Sequence, residues 1–121
     1  MSKENKELVK KMNEAFSKGN TEFIVQNITE DIRWNIVGMP VIKGKTDFLK
    51  AMKIMELESL PDTEIKNIIA EGNYVVVESS AGLNSKSGRP YRPSYCDVYK
   101  IKNGKVEELT TYVVDITKHE D

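Results

Sequence analysis

The hydrophobic positions change period along the chain, and each change marks an element. Leu8, Val9, Met12, Ala15 and Phe16 recur every three to four residues, which predicts an amphipathic helix near residues 3–18. Gly19 is placed to end it in a left-handed conformation, and Asn20 can cap a second short helix carrying Phe23, Ile24 and Ile28. The period then drops to two. Ile32, Trp34 and Ile36 alternate with Asp31, Arg33 and Asn35, the pattern of a half-buried strand. Gly38, Pro40 and Gly44 interrupt the chain; Phe48, Leu49, Met52 and Met55 mark a third helix, and Pro61 closes that region.

Strands follow. They are expected over 64–70, 74–83, 94–102 and from 105 to about 117, with Gly72-Asn73 as one turn and a Ser-, Gly- and Pro-rich loop over 84–93. Asn103-Gly104 is a strong two-residue hairpin signal, because both central positions of such a turn need positive φ. The order is two helices, a strand, a helix and four meandering strands, an α+β layout. Helices laid across the concave face of a curved sheet leave a conical hollow suited to a small ligand.

Composition narrows the classes. The chain of 121 residues is read as a single domain over 1–121, large enough to hold a core without disulfides or metal. Eighteen basic residues face nineteen acidic ones, with no basic stripe for nucleic acid. No apolar run is long enough to span a membrane, and the N-terminus lacks a secretory pattern, so a cytoplasmic location is expected. Cys96 and His119 are each the only residue of their kind, which excludes any mechanism needing two histidines in one chain and leaves carboxylate, tyrosine and arginine chemistry. No metal or organic cofactor is expected.

Strand alternation sorts the candidates for that chemistry. Tyr95, Asp97, Tyr99 and Ile101 share one face of their strand; Leu109, Thr111, Val113 and Asp115 share one face of the last. If the hollow takes the set containing Trp34, Tyr95, Asp97 and Thr111, it is apolar with a few polar groups. A lone buried carboxyl at Asp97 would have a raised pKa and, kept neutral at pH 7, could donate a hydrogen bond to a ligand carbonyl. The alternatives are pairing with Arg89 or Arg92, or simple exposure to water. Tyr95 is a second donor or core; Asp115 is a general base if its register turns it inward, or a solvated strand end. Ile36, Met12, Phe16, Met52, Ser79, Tyr99 and Val113 complete the expected ligand pocket, with Trp34 as a wall. Cys96, Val98, Tyr112 and Val114 fall on the outer face.

An ordered set of short stretches resembles the NTF2-like superfamily, in particular its SnoaL-like and ketosteroid-isomerase-like branch. The stretches are Lys18-Gly19-Asn20-Thr21-Glu22, Trp34 to Pro40 followed by Gly44, Glu71 to Glu78, Gly88-Arg89-Pro90-Tyr91, Cys96 to Ile101, and Asn103-Gly104-Lys105-Val106. The resemblance implies a cone of three N-terminal helices on the concave face of a curved mixed, mostly antiparallel sheet. It also implies a homodimer through the outer sheet face. The acid of ketosteroid isomerases that donates to an enolate oxygen matches Asp97, an example treated in general accounts of pKa tuning. That family's tyrosine donor falls on Met12 and its aspartate base on Ile36, so two of its three working groups are missing. The water-positioning groups of limonene-epoxide hydrolase, which shares this fold, fall on Ser79, Ala81 and Thr111, which disfavours epoxide hydrolysis by that route. SnoaL-type cyclases carry an inward acid near the end of the sheet, for which Asp115 is the nearest match. The implied function is an isomerase or polyketide-cyclase-type enzyme for a small cyclic or carbonyl-containing molecule, with Asp97 as oxyanion donor; a non-catalytic ligand-binding or dimerisation module is the alternative.

Overall fold

A computed structural model describes residues 2–58, 64–80 and 93–115. The elements run α1 (Ser2–Lys18), α2 (Thr21–Gln26), β1 (Ile28–Ile36), β2 (Ile42–Lys43), α3 (Lys45–Glu58), β3 (Glu64–Glu71), β4 (Tyr74–Ser80), β5 (Pro93–Lys102) and β6 (Lys105–Asp115). The strands form one curved, unclosed sheet in the order β2-β1-β6-β5-β4-β3. Strands β3 to β6 are an antiparallel meander. Strand β1 joins by pairing parallel to β6, which makes the sheet mixed.

The helices form where the apolar stripe and the end signals agree. On α1 the stripe Val9, Met12 and Ala15 is buried and lies against β3 and β4. Gly19 at φ 69° ends the helix: its N–H donates to the Phe16 carbonyl, and the Asn20 N–H reaches the Ala15 carbonyl at 2.9 Å. These are the two bonds of a Schellman cap. The Asn20 side chain then accepts from the Phe23 N–H at 3.2 Å and starts α2. Helix α2 stops at Gln26, two residues earlier than the sequence pattern suggests, and Ile28 opens β1. Asn27 explains the stop: its side chain donates to the Phe23 carbonyl at 2.8 Å, while its own carbonyl accepts from Val106 of β6 at 2.9 Å.

Helix α3 packs on β1 and β2 through Phe48 and Met52. The two-residue strand β2, absent from the sequence reading, pairs with Arg33 and Trp34. At the other end of the sheet Asn103 (φ 52°) and Gly104 (φ 77°) make the expected two-residue hairpin. A bulge then inserts Glu107 into β6, so that Lys100 faces Glu108 while Ile101 faces Val106. The extra residue brings Val106 onto the same buried face as Leu109. The core closes between sheet and helices around Ile32, Val75, Val77, Tyr99, Ile101 and Leu109. Each fully buried side chain of this kind contributes about 1.5–3 kcal/mol. Among the described residues, no helix is long and apolar enough to cross a membrane.

Candidate functional site

The register of three strands assembles the site. Asp97 of β5 lies opposite Val77 of β4 on one side and Thr111 of β6 on the other. Thr111 is in turn opposite Ile36 in the parallel pairing with β1, two pairs beyond Trp34 and Leu109 and so on the same face. Residues far apart in sequence therefore meet on the concave face. The Trp34 Nε1–H donates to Thr111 Oγ1 at 3.0 Å, and Thr111 Oγ1–H donates to Asp97 Oδ1 at 2.7 Å. Phe48 of α3 backs the indole, with ring centroids 5.0 Å apart and a 41° tilt.

The carboxyl of Asp97 is half-buried. Burial pushes its pKa up to about 6, and the Thr111 hydrogen bond opposes the rise. Among the described residues no ammonium or guanidinium pairs with it; Arg89 and Arg92 lie outside the described residues. The direction of the shift is the expected one, and it brings the titration of Asp97 close to neutrality. Tyr99, two residues along, is pushed well above the ordinary phenol range by burial first and by the Asp97 charge second, against a side-chain hydrogen bond with Asn13. Burial also raises the Cys96 thiol, helped by the charges of Asp97 and Glu78.

The other expected pocket residues distribute around this centre. Trp34, Met52, Ser79 and Thr111 are buried, and Ile36, Phe16 and Tyr95 are half-buried. Met12 (0% exposed) and Tyr99 (1%) sit in the packed core, where they support the site from beneath. Val113 shares the alternation of Thr111 but is exposed. Asp115 pairs with Pro93, in the same backbone alternation as Thr111 and Val113; its side chain lies outside the described residues, as does Ala81. Two supporting residues escaped the sequence reading. Asn13 is one of several polar residues beside the apolar stripe of α1, with Lys10, Lys11 and Glu14, and nothing in the spacing singles it out. Phe48 was visible as an apolar helix position, but its contact with Trp34 depends on how α3 crosses β1. Among the described residues, no three of His, Cys, Asp and Glu converge to hold a metal ion.

The family model for the SnoaL-like domain matches residues 9–109. This chain belongs to the SnoaL-like family. A search of curated protein sequences returned no significant match. Among solved structures, the SnoaL-like chain is similar to an NTF2-like protein of unknown function from Cytophaga hutchinsonii, with 25% identity, a TM-score of 0.75, and coverage of 90% of this chain and 98% of that one. It is similar to a candidate ketosteroid isomerase from Kribbella flavida, with 14% identity, a TM-score of 0.81, and coverage of 99% and 84%. It is also similar to a candidate SnoaL-like polyketide cyclase from Jannaschia sp. CCS1, with 15% identity, a TM-score of 0.77, and coverage of 93% and 87%. At such identities the last two likenesses establish the fold, which is the NTF2-like cone.

Proposed function

We propose that this SnoaL-like protein is a small-molecule enzyme of the isomerase or cyclase type, in which Asp97 moves a proton to and from an enolisable carbonyl compound. One observation carries the reading: a half-buried carboxyl, held by a hydrogen bond and with a pKa near 6, stands on the concave face of the sheet. A group titrating close to the working pH is best suited to proton transfer in both directions. The carboxylate takes a proton from the carbon next to the carbonyl, and the C–H electron pair moves toward the carbonyl oxygen as an enolate. Returning the proton to another carbon completes an isomerisation. Attack of the enolate carbon on a second carbonyl of the same molecule closes a ring, and the proton then goes to the new alkoxide. Tyr95, on the same face, is the donor assigned to the developing oxyanion. The candidate isomerase and candidate cyclase among the structural relatives are in keeping with this class. Proton transfer extends the donating role expected from sequence, because a carboxyl titrating near 6 supplies both its acidic and its basic form close to neutrality.

The second reading, a non-catalytic binding module on the same concave face, draws on Met12 and Ile36. They stand where ketosteroid isomerases carry a tyrosine and a base, and Met12 is fully buried. Hydrogen–deuterium exchange separates the two. Small cyclic ketones are incubated with the protein in D2O, and loss of the proton signal beside the carbonyl is followed by NMR. Exchange well above the rate of the Asp97→Asn variant supports the enzyme. Ligand binding, read as a raised Tm, with no exchange beyond that of the variant overturns the enzyme and leaves the binding module.

A second copy of the chain is the partner proposed for the outer face. Ile69, Tyr112 and Val114 are exposed there and line an open groove of about 270 Å³ together with Val76 and Cys96.

A further inference from the structure

The direction of each hydrogen bond beside Asp97 is determined by the atoms that make it. An indole N–H can donate and cannot accept. Trp34 Nε1–H therefore gives its hydrogen to Thr111 Oγ1, across 3.0 Å. A threonine hydroxyl owns one hydrogen, and Asp97 Oδ1, at 2.7 Å, is its acceptor. Thr111 is buried, so a reversed bond, with Oδ1 protonated and donating, would strand the hydroxyl hydrogen without an acceptor among the described residues. The indole is itself held by Phe48 at 5.0 Å. Donation into Oγ1 also polarises the O–H that points at the carboxyl.

We propose that Trp34 and Thr111 are positioning residues whose one-way hydrogen-bond chain keeps Oδ1 of Asp97 as a permanent acceptor and leaves Oδ2 as the oxygen that carries and delivers the proton. This inference rests on the proton-transfer reading for its functional meaning, while the chain itself is a property of the ligand-free protein. It makes proton transfer stereochemically defined: only one oxygen of the carboxyl exchanges its hydrogen, and the ligand must approach from that side. It also couples the carboxyl to the indole. The carboxylate accepts strongly from Thr111 and the neutral acid more weakly, so the Oγ1 electron density offered to Trp34 changes as Asp97 titrates.

Among the described side chains, the surroundings favour a clean readout. From β5, Tyr95 and Tyr99 share the face of Asp97 and Cys96 is its chain neighbour. Val75, Val77 and Ser79 of β4, Leu109, Thr111 and Val113 of β6, Trp34 and Ile36 of β1, Met12 and Asn13 of α1, and Phe48 and Met52 of α3 carry no titratable group. Burial pushes the Tyr99 phenol and the Cys96 thiol up, away from the range of the experiment.

The test uses Trp34, the only tryptophan in the chain, as its own reporter. Fluorescence is recorded between pH 4.5 and 8 on the ligand-free protein, and the Asp97 carboxyl is followed by carbon NMR in the same samples. The wild type is expected to show one shared midpoint near 6, and Asp97→Asn to show a flat fluorescence profile. Thr111→Val should disconnect the two signals. The indole profile flattens, while the carboxyl midpoint rises by about one pH unit because the charged form has lost a donor. Thr111→Ser should restore both, and Trp34→Phe should raise the carboxyl midpoint less than Thr111→Val does. An unchanged carboxyl midpoint in Thr111→Val, or no recovery in Thr111→Ser, overturns the chain. Because no substrate is present, a failure of the ketone exchange experiment leaves this result standing, and the reverse also holds.

Discussion

At the scale of single residues, Asp97 couples function to stability, and the sign can be worked out. Its folded pKa of about 6 lies above the ordinary carboxylate value, so the folded state holds this proton more tightly than the unfolded chain. The group is neutral in both states below the unfolded pKa and destabilises nothing there. As pH rises from about 4 to about 6, the folded protein must take up a charge it accommodates poorly, at a cost of up to roughly 3 kcal/mol that is complete above the folded pKa. The Asp97→Asn variant keeps a side-chain oxygen for Thr111 and carries no charge. Its Tm should therefore match the wild type near pH 4 and exceed it increasingly up to pH 7, with a constant difference beyond. Differential scanning fluorimetry across that range measures it. A difference that shrinks with rising pH would mean that the folded protein favours the ionised carboxyl. Asp97 was legible from sequence as an acid set among apolar and aromatic neighbours, Tyr95, Cys96, Val98 and Tyr99. The bond from Trp34 was not, since it needs the parallel pairing of β1 with β6 and partners separated by 77 residues.

At the scale of elements, local signals were readable wherever a single residue type answers a single backbone demand. Gly19 at φ 69° and Asn20 as cap join α1 to α2 with almost no spare chain. Asn103-Gly104 turns β5 into β6 in the same way. Signals failed where the outcome depended on a distant partner. Ile28 fits the helical stripe of α2 as well as it fits β1, and the claim of Val106 on the Asn27 carbonyl decides the matter. Strand β2 is two residues long, too short to show any period, and exists because Arg33 and Trp34 offer it an edge. The Glu107 bulge in β6 is likewise silent in sequence. The junction at Gly19 gives a direct test. Gly19→Ala places a Cβ on a left-handed residue and should cost about 1 kcal/mol. Urea unfolding should show a lower midpoint with an unchanged slope. An unchanged midpoint would mean that this cap contributes nothing to holding α1 on the sheet.

At the scale of the whole molecule, the sheet divides its work between two faces. The concave face carries the helices, the core and the chain from Trp34 to Asp97. The opposite face of the same strands leaves three large apolar side chains to water, Ile69 (62% exposed), Val114 (56%) and Tyr112 (47%). The same alternation that turns Asp97 inward turns Cys96 outward, so a second copy docked on the outer face would leave the site open. The proposed dimer should appear in sedimentation equilibrium as twice the chain mass of 13.8 kDa. A carboxylate buried there without a partner costs several kcal/mol. Tyr112→Glu and Val114→Glu should therefore each weaken self-association by at least about a hundredfold. Neither side chain enters the core, so the Trp34 titration should survive in both variants and show that the monomer is folded. A wild type that sediments at the single-chain mass, or variants that pair as tightly as the wild type, would remove the outer face as an interface while leaving the chemistry of the concave face intact.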